Sequence, residues 1–351
     1  MSPLPHPTVL ALSNAEIDER FQLLTVRSCP DPIWHFTLAV PKDAEPGAPG
    51  DVAPSPDAPI QTLALFQRKA PEVDLEVTAQ RMVREVDPAD WLDHALAQKP
   101  ELTIVSRQAQ KTEAGWTGDT LATWTFEGEP FVGRFYAAKA GPRLYMLCMR
   151  TREADYARVA DDFVVSMGTL DVLDHSLGPL SENVVTIAET SPVPHEAHLP
   201  TSWRVARQPP APHGAAFQAS LQPLGGGHGV EGGDLVFAMV DKSAADRPRD
   251  VARAVLSTVR GSRWFVQHED FEEEPADEPF QKSWYLASPA TSFKGAAGEV
   301  RCRVMLSSRV WVVAGVVGPT RDDAPFCWMQ NKRALDIATS TLTFENSDGP
   351  R

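Results

Sequence analysis

The stretch from residue 118 to 170 constrains this chain more than any other: GDTLATWTFEGEPFVGRFYAAKAGPRLYMLCMRTREADYARVADDFVVSMGTL. Three short runs of alternating apolar and polar residues are joined by tight turns, the pattern of an antiparallel meander. The period then lengthens. A helix is predicted over 153–167, with Tyr156, Val159, Ala160, Phe163 and Val164 on one side. The same outline returns at 282–342, so one structural plan is expected twice.

The rest of the chain supports that expectation. At 351 residues it is long for one core, and two domains are the default. Residues 1–33 read as an uncommitted arm, and WHFTLAVP at 34–41 as a strand. A Pro/Ala/Gly-rich loop without a packable face fills 42–59. Extended runs at 60–69 and 73–84 flank Ala70-Pro71-Glu72 as a hairpin. Asp87-Pro88-Ala89-Asp90 starts a helix: Asp87 caps it, Pro88 fits its first position, and Asp90 suits the positive end of its dipole. Trp91, Leu92, Ala95 and Leu96 give that helix its apolar stripe, Pro100 stops it, and 102–111 is a further strand. A linker follows at 171–194, with one strand at 184–188.

From 195 to 344 the order repeats. Val40-Pro41 answers to Leu199-Pro200 at an offset of 159, and Asp87-Pro88 to Asp246-Arg247-Pro248. Trp124 answers to Trp284 at an offset of 160, and Arg143-Leu144-Tyr145 to Arg309-Val310-Trp311 at 166. The expected organisation is an arm (1–33), a first domain (34–170), a linker (171–194), a second domain (195–344) and a tail (345–351). The fold class is α+β, each domain a twisted antiparallel sheet flanked by helices, arising by tandem duplication.

Leu63 to Arg68, Gly118 to Phe126 and Arg143 to Phe163 carry a resemblance. Their order, and the closing GRFYAAKAGPRLYMLCMRTREADYARVADDFVVSM, resemble the PsbP-like fold, and within it most of all the Eag chaperones of bacterial type VI secretion. The resemblance covers most of 34–170 and, more loosely, 195–344. The chain departs from the pattern in carrying two copies and the Pro-rich insertion at 42–59. The resemblance implies a chaperone or adaptor that shields an apolar segment of a secreted effector and works as a dimer. Two linked copies would make that dimer within one chain and remove its concentration dependence. The oligomeric state implied is thus a monomeric pseudo-dimer or a homodimer.

Composition narrows the partners. A net charge of −14 disfavours nonspecific nucleic-acid binding, which needs a Lys/Arg surface. No basic n-region precedes the short apolar run at 9–12, and no 18-residue apolar run exists, so neither a signal peptide nor a membrane span is expected. Cys29, Cys148, Cys302 and Cys327 lack CxxC spacing and read as reduced thiols, which fits a cytoplasmic protein.

Chemistry-bearing motifs are fragmentary. His195-Glu196-Ala197-His198 lacks the HExxH spacing that puts two histidines on one helical face, and its flanking prolines favour an exposed loop. The glycines around His228 (225–229) lack the GK[ST] of a phosphate loop. The acidic run FEEEPADEP at 271–279 lacks calcium-loop spacing and reads as a solvated connection. No GxSxG elbow and no recognisable cysteine nucleophile are present. No catalytic residue, metal ligand or cofactor is assigned, and the chain is expected not to be an enzyme.

The aromatic residues point instead to a protein partner. Trp116, Trp124, Trp264, Trp284 and Trp311 fall on or beside meander strands. If helices cover one sheet face only, the other is left to a partner. The residues expected to bind it are Trp124, Phe126, Tyr145 and Met149 in the first half, and Trp284, Arg301, Arg303 and Trp311 in the second. Arginine, methionine and aromatic side chains together have the composition of a protein interface. The competing readings are a core role for these residues, a structural or regulatory binder of a folded partner, and a small-ligand protein or enzyme using an interdomain cleft.

Overall fold

The computed structural model describes residues 4–27, 29–47, 60–112, 115–178, 182–207, 216–221, 232–256, 264–267, 269–292 and 297–344. The glycine loop at 225–229 and the tail at 345–351 lie outside them. The chain divides into two compact units, Met1–Ser181 and Glu182–Arg351.

The first unit runs α1 (Asn14–Arg20), β1 (Phe21–Val26), β2 (Phe36–Pro41), β3 (Glu45–Pro46), β4 (Gln61–Lys69) and β5 (Glu72–Arg81). It continues through α2 (Pro88–Ala97), β6 (Thr103–Thr112), β7 (Gly115–Phe126), β8 (Glu129–Ala140), β9 (Arg143–Arg152), α3 (Glu153–Thr169) and β10 (Asp171–Val172). Seven strands make one antiparallel sheet, ordered β3-β4-β5-β9-β8-β7-β6, and β1-β2-β10 make a small second one.

Local chemistry explains the main turning points. The Asp87 carboxylate accepts from the Ala89 amide at 2.8 Å and Pro88 occupies the first turn, so α2 starts where its backbone amides lack helical partners. β7 turns into β8 through Glu127 and Gly128, both with positive φ (51° and 83°). That pair has the twist a two-residue hairpin loop needs. It fixes Phe126 opposite Glu129 and Trp124 opposite Phe131. On β6, the register slips by one residue between Ile104 and Ser106, leaving Val105 as a bulge.

The second unit runs β11 (Val184–Glu189), β12 (His195–Pro200), β13 (Trp203–Arg207), β14 (Ala216–Leu221), β15 (Asp234–Asp241), α4 (Pro248–Leu256) and β16 (Trp264–Val266). Then come β17 (Glu272–Glu274), β18 (Lys282–Ser292), β19 (Ala297–Leu306), β20 (Val310–Gly318), α5 (Pro325–Ser340) and β21 (Thr343–Phe344). Its large sheet is ordered β13-β14-β15-β20-β19-β18-β16, with β17 beside β18, and its small sheet β11-β12-β21. Apart from β17, which has no counterpart in the first unit, these orders match those of the first unit. Both units are α+β, as the sequence predicts.

Three expectations are corrected. The arm is not uncommitted: α1 and β1 lie in it, and β1 pairs with β2 from Phe21↔Pro41 to Val26↔Phe36. His195–His198 is not in an exposed loop but in β12, with His195 2% exposed and its ring stacked 5.9 Å from Phe237. Residues three apart on a strand point to opposite faces, so the two histidines cannot converge.

The third correction matters most. Helices cover both faces of each large sheet. In the first unit, Leu75, Val77, Leu121, Val132, Tyr145 and Leu147 pack with Tyr156, Val159 and Phe163 of α3. The opposite face carries Gln80, whose Oε1 accepts from Trp91 Nε1 of α2, and Gly118, where a Cβ would stand 2.8 Å from the Ala89 Cα. In the second unit, Phe237, Met239, Val312 and Ala314 pack with Leu335 and Ala338 of α5. Val236, Ala238, Val304 and Val313 pack with Val251 and Val255 of α4 on the other side. Among the described residues no helix is long and apolar enough to cross a membrane.

Candidate functional site

α2 covers its sheet face only in part. Its first turn crosses β7 at Gly118, and Trp124 lies six residues further along that strand, about 20 Å at strand rise. At this far end the β7–β8 hairpin presents three aromatic rings. Trp124 stacks on Phe131 with centroids 5.9 Å apart and planes 17° off parallel. Phe126 meets Phe131 edge to face at 6.3 Å and is 58% exposed. Gly133 makes room for this: a Cβ there would fall 2.7 Å from the Trp124 ring and 2.9 Å from that of Phe135.

Charged pairs flank the rings on the same face. Strand pairing carries the row from Trp124 through Phe131 to Arg152, and the next row from Ala122 through Gly133 and Arg150 to Asp74. Arg150 Nε donates to Asp74 at 2.7 Å, and Arg152 lies 3.2 Å from Glu72 and 3.9 Å from Glu129. Partial burial alone would lower the Arg150 pKa, but the hydrogen bond and charge of Asp74 raise it, so its cation is secure. Both arginines are about half exposed. Such exposed pairs contribute little to stability.

The other expected residues lie elsewhere. Tyr145 and Met149 are each 2% exposed, in the core beneath α3, with Tyr145 edge-on to Trp34 and Phe36. Trp311 is 3% exposed and donates Nε1 to the carbonyls of Lys242 and Ala245, ahead of α4. These three are core residues, because each large sheet has a helix on both sides. Trp284 is half-buried, 5.7 Å from Trp311, with the Lys282 ammonium 5.9 Å from its ring.

Arg301 and Arg303 are held by their own unit. The Arg301 guanidinium sits 3.9 Å over the Trp328 ring of α5 and pairs with Glu299. Arg303 donates to Glu274 at 2.6 Å and to Thr339 of α5 at 2.8 Å. Glu274 belongs to β17, so part of the acidic run is a paired strand rather than a solvated connection. Trp124 and Phe126 are therefore the expected residues that reach the surface together. Sequence reading missed Phe131, Arg150 and Arg152. The Glu127-Gly128 turn was the signal for the first, since a two-residue loop fixes which residue faces Trp124.

The four cysteines are buried, and none is in a disulfide. Burial pushes the thiols of Cys148 and Cys302 up to about 12. Neither has the character of a nucleophile.

Fold and surface together define a two-unit α+β protein with an aromatic, arginine-flanked patch on its first unit. No protein-family model matches the chain, and no curated protein matches its sequence. Among solved structures it is similar to cyanobacterial PsbP (CyanoP) from Synechocystis sp. PCC 6803, at 9% identity and a TM-score of 0.32, over 44% of this chain and 92% of that one. It is similar to the Ran-binding protein Mog1p of Saccharomyces cerevisiae at 9% identity and a TM-score of 0.31, over 46% and 96%. It is also similar to the immunity protein TplEi of T6SS from Pseudomonas aeruginosa, complexed with "L" peptide. There the identity is 10% and the TM-score 0.21, over 92% and 97%. Likeness at this level carries no site residue from those proteins to this one.

Proposed function

We propose that this chain is a protein-binding module that works without covalent chemistry, its partner docking on Trp124, Phe126 and Phe131. One observation carries the reading. Phe126 is 58% exposed at the end of a stacked aromatic group, on a sheet face that α2 covers elsewhere. Large aromatic surface is costly to leave in water, and aromatic and arginine side chains are the residue types that dominate interface energetics. The partner's complementary surface is an apolar segment with polar groups for Arg150 and Arg152.

The finer proposal is a chaperone or adaptor for a type VI secretion effector, and its support is the sequence resemblance to the Eag group. The matching strand orders of the two units support tandem duplication, and with it the intramolecular pseudo-dimer. The test pairs two measurements on the same variants. Phe126→Ala and Trp124→Ala are assayed for thermal melting and for capture of the partner isolated with the wild-type protein. Phe126→Ala is expected to weaken capture at least tenfold with melting nearly unchanged. Undiminished capture by both variants would refute the docking surface.

A further inference from the structure

The opposite, α3-facing side of the first sheet holds a second feature, built on a buried ion pair. Arg134 is fully buried and reaches Asp119 twice, through Nε at 3.0 Å and Nη2 at 2.6 Å. Its guanidinium lies 4.9 Å from the Phe163 ring of α3. A buried ion pair of this kind contributes little net stability, since removing both charges from water is costly. What it supplies is a fixed set of donors and acceptors, and here they hold a peptide.

That peptide is residues 4–7 of the same chain. The His6 ring sits 3.0 Å from Asp119 Oδ1 through Nε2 and 2.6 Å from the Ser106 hydroxyl through Nδ1. Arg134 Nη2 donates to the Pro7 carbonyl at 2.7 Å, and Gln108 Nε2 to the His6 carbonyl at 3.4 Å. The His6 side chain is 7% exposed. Four side chains from three strands thus read one imidazole and two successive carbonyls. The prolines at positions 5 and 7 offer no backbone N–H, so residues 5–7 present one amide donor, that of His6, beside their carbonyls and one ring; the His6 ring and the His6 and Pro7 carbonyls are the groups contacted. Burial raises the Asp119 pKa, but the hydrogen bonds from His6 and Arg134 outweigh it and hold the carboxyl below its ordinary value. Asp119 therefore accepts from the ring as a carboxylate.

We propose that Ser106, Gln108, Asp119 and Arg134 form a peptide-recognition groove for a proline-flanked histidine, occupied in cis by residues 4–7 as a detachable strap. Its other occupant is an extended partner segment with the same Pro-His-Pro core. The groove is distinct from the Trp124 patch and lies on the other sheet face. Within the strap the polar anchors converge on His6 and Pro7, and Leu4 adds an apolar contact to the core. Extended proline-flanked segments lose little conformational entropy on docking, which suits them to exchange.

The test uses the full chain with His6→Ala, which loosens the strap while leaving the groove intact, and a fluorescent peptide of sequence LPHPTVL, residues 4–10. The peptide is expected to bind the variant at least tenfold more tightly than it binds the wild-type chain, where the strap competes. LPAPTVL should bind the variant at least tenfold more weakly than LPHPTVL. Adding Ser106→Ala to the variant should weaken LPHPTVL and leave melting nearly unchanged. Equal affinity for the two peptides would overturn the histidine recognition. Failure of LPHPTVL to bind the folded variant would overturn the groove.

Discussion

Trp124 and Phe131 lie face to face across β7 and β8, and Gly133 lies under the edge of that stack. The backbone hydrogen is what permits the stack, because any Cβ at 133 would press on the Trp124 ring from below. The surface patch is therefore set by a residue that is itself buried.

Gly133→Ala tests this dependence. The added methyl would stand 2.7 Å from Trp124 and 2.9 Å from Phe135, both large rings. Overpacking of this kind costs roughly 1–3 kcal/mol. The expected outcome is a lower melting temperature together with weaker partner capture. An unshifted melting temperature would show that the rings yield without cost.

Tyr145→Ala and Trp311→Ala should behave differently from Phe126→Ala. Both side chains are almost wholly enclosed by their own unit. Truncating a buried aromatic costs about 3–5 kcal/mol, through lost burial and the cavity left behind. Urea denaturation of each variant is expected to show that loss. A loss under about 1 kcal/mol would return these residues to the surface.

The buried thiols and phenols give a prediction in alkali. Burial raises Cys148, Cys302 and Tyr156 each to about 12, and pushes Tyr145 up as well. The unfolded chain releases these protons first, so the folded state binds more of them as pH climbs past the ordinary thiol value. Stability is then full below about pH 8.5 and falls as pH rises towards 12. Urea midpoints should drop between pH 8 and pH 10.5, and Cys302→Ala should remove part of that drop. Native Cys302, its thiol kept protonated by burial, should resist iodoacetamide until the chain unfolds.

Much of the architecture was legible in residue pattern. The Asp87-Pro88 start of α2, the apolar stripe of α3 and the meander follow from capping, period and turn chemistry, and all three stand. What periodicity could not carry was the assignment of faces. Strand alternation divides residues into two sets but does not say what covers each. Tyr145 and Trp311 show the limit. An offset of 166 pairs them by type, yet Tyr145 faces α3, the closing helix of its unit, while Trp311 faces α4, which answers to α2. A single-residue change of register reverses a side chain's face, so matched residue types need not be matched positions. Arg301 and Arg303 looked like an open mixed face because Glu274, Glu299 and Trp328, which engage them, lie up to 29 residues away.

One consequence concerns β6, the ten-residue strand at the open end of the first sheet. A long unpaired edge is a template on which another molecule's strand can add, and repeated addition leads to aggregation. This edge is poorly suited to that. The bulge at Val105 breaks its ladder, Arg107 brings exposed charge, and Ser106 and Gln108 are tied to His6. Loss of the bulge would leave a flatter rim, and the penalty would fall on solubility at high concentration rather than on the folding of any single chain.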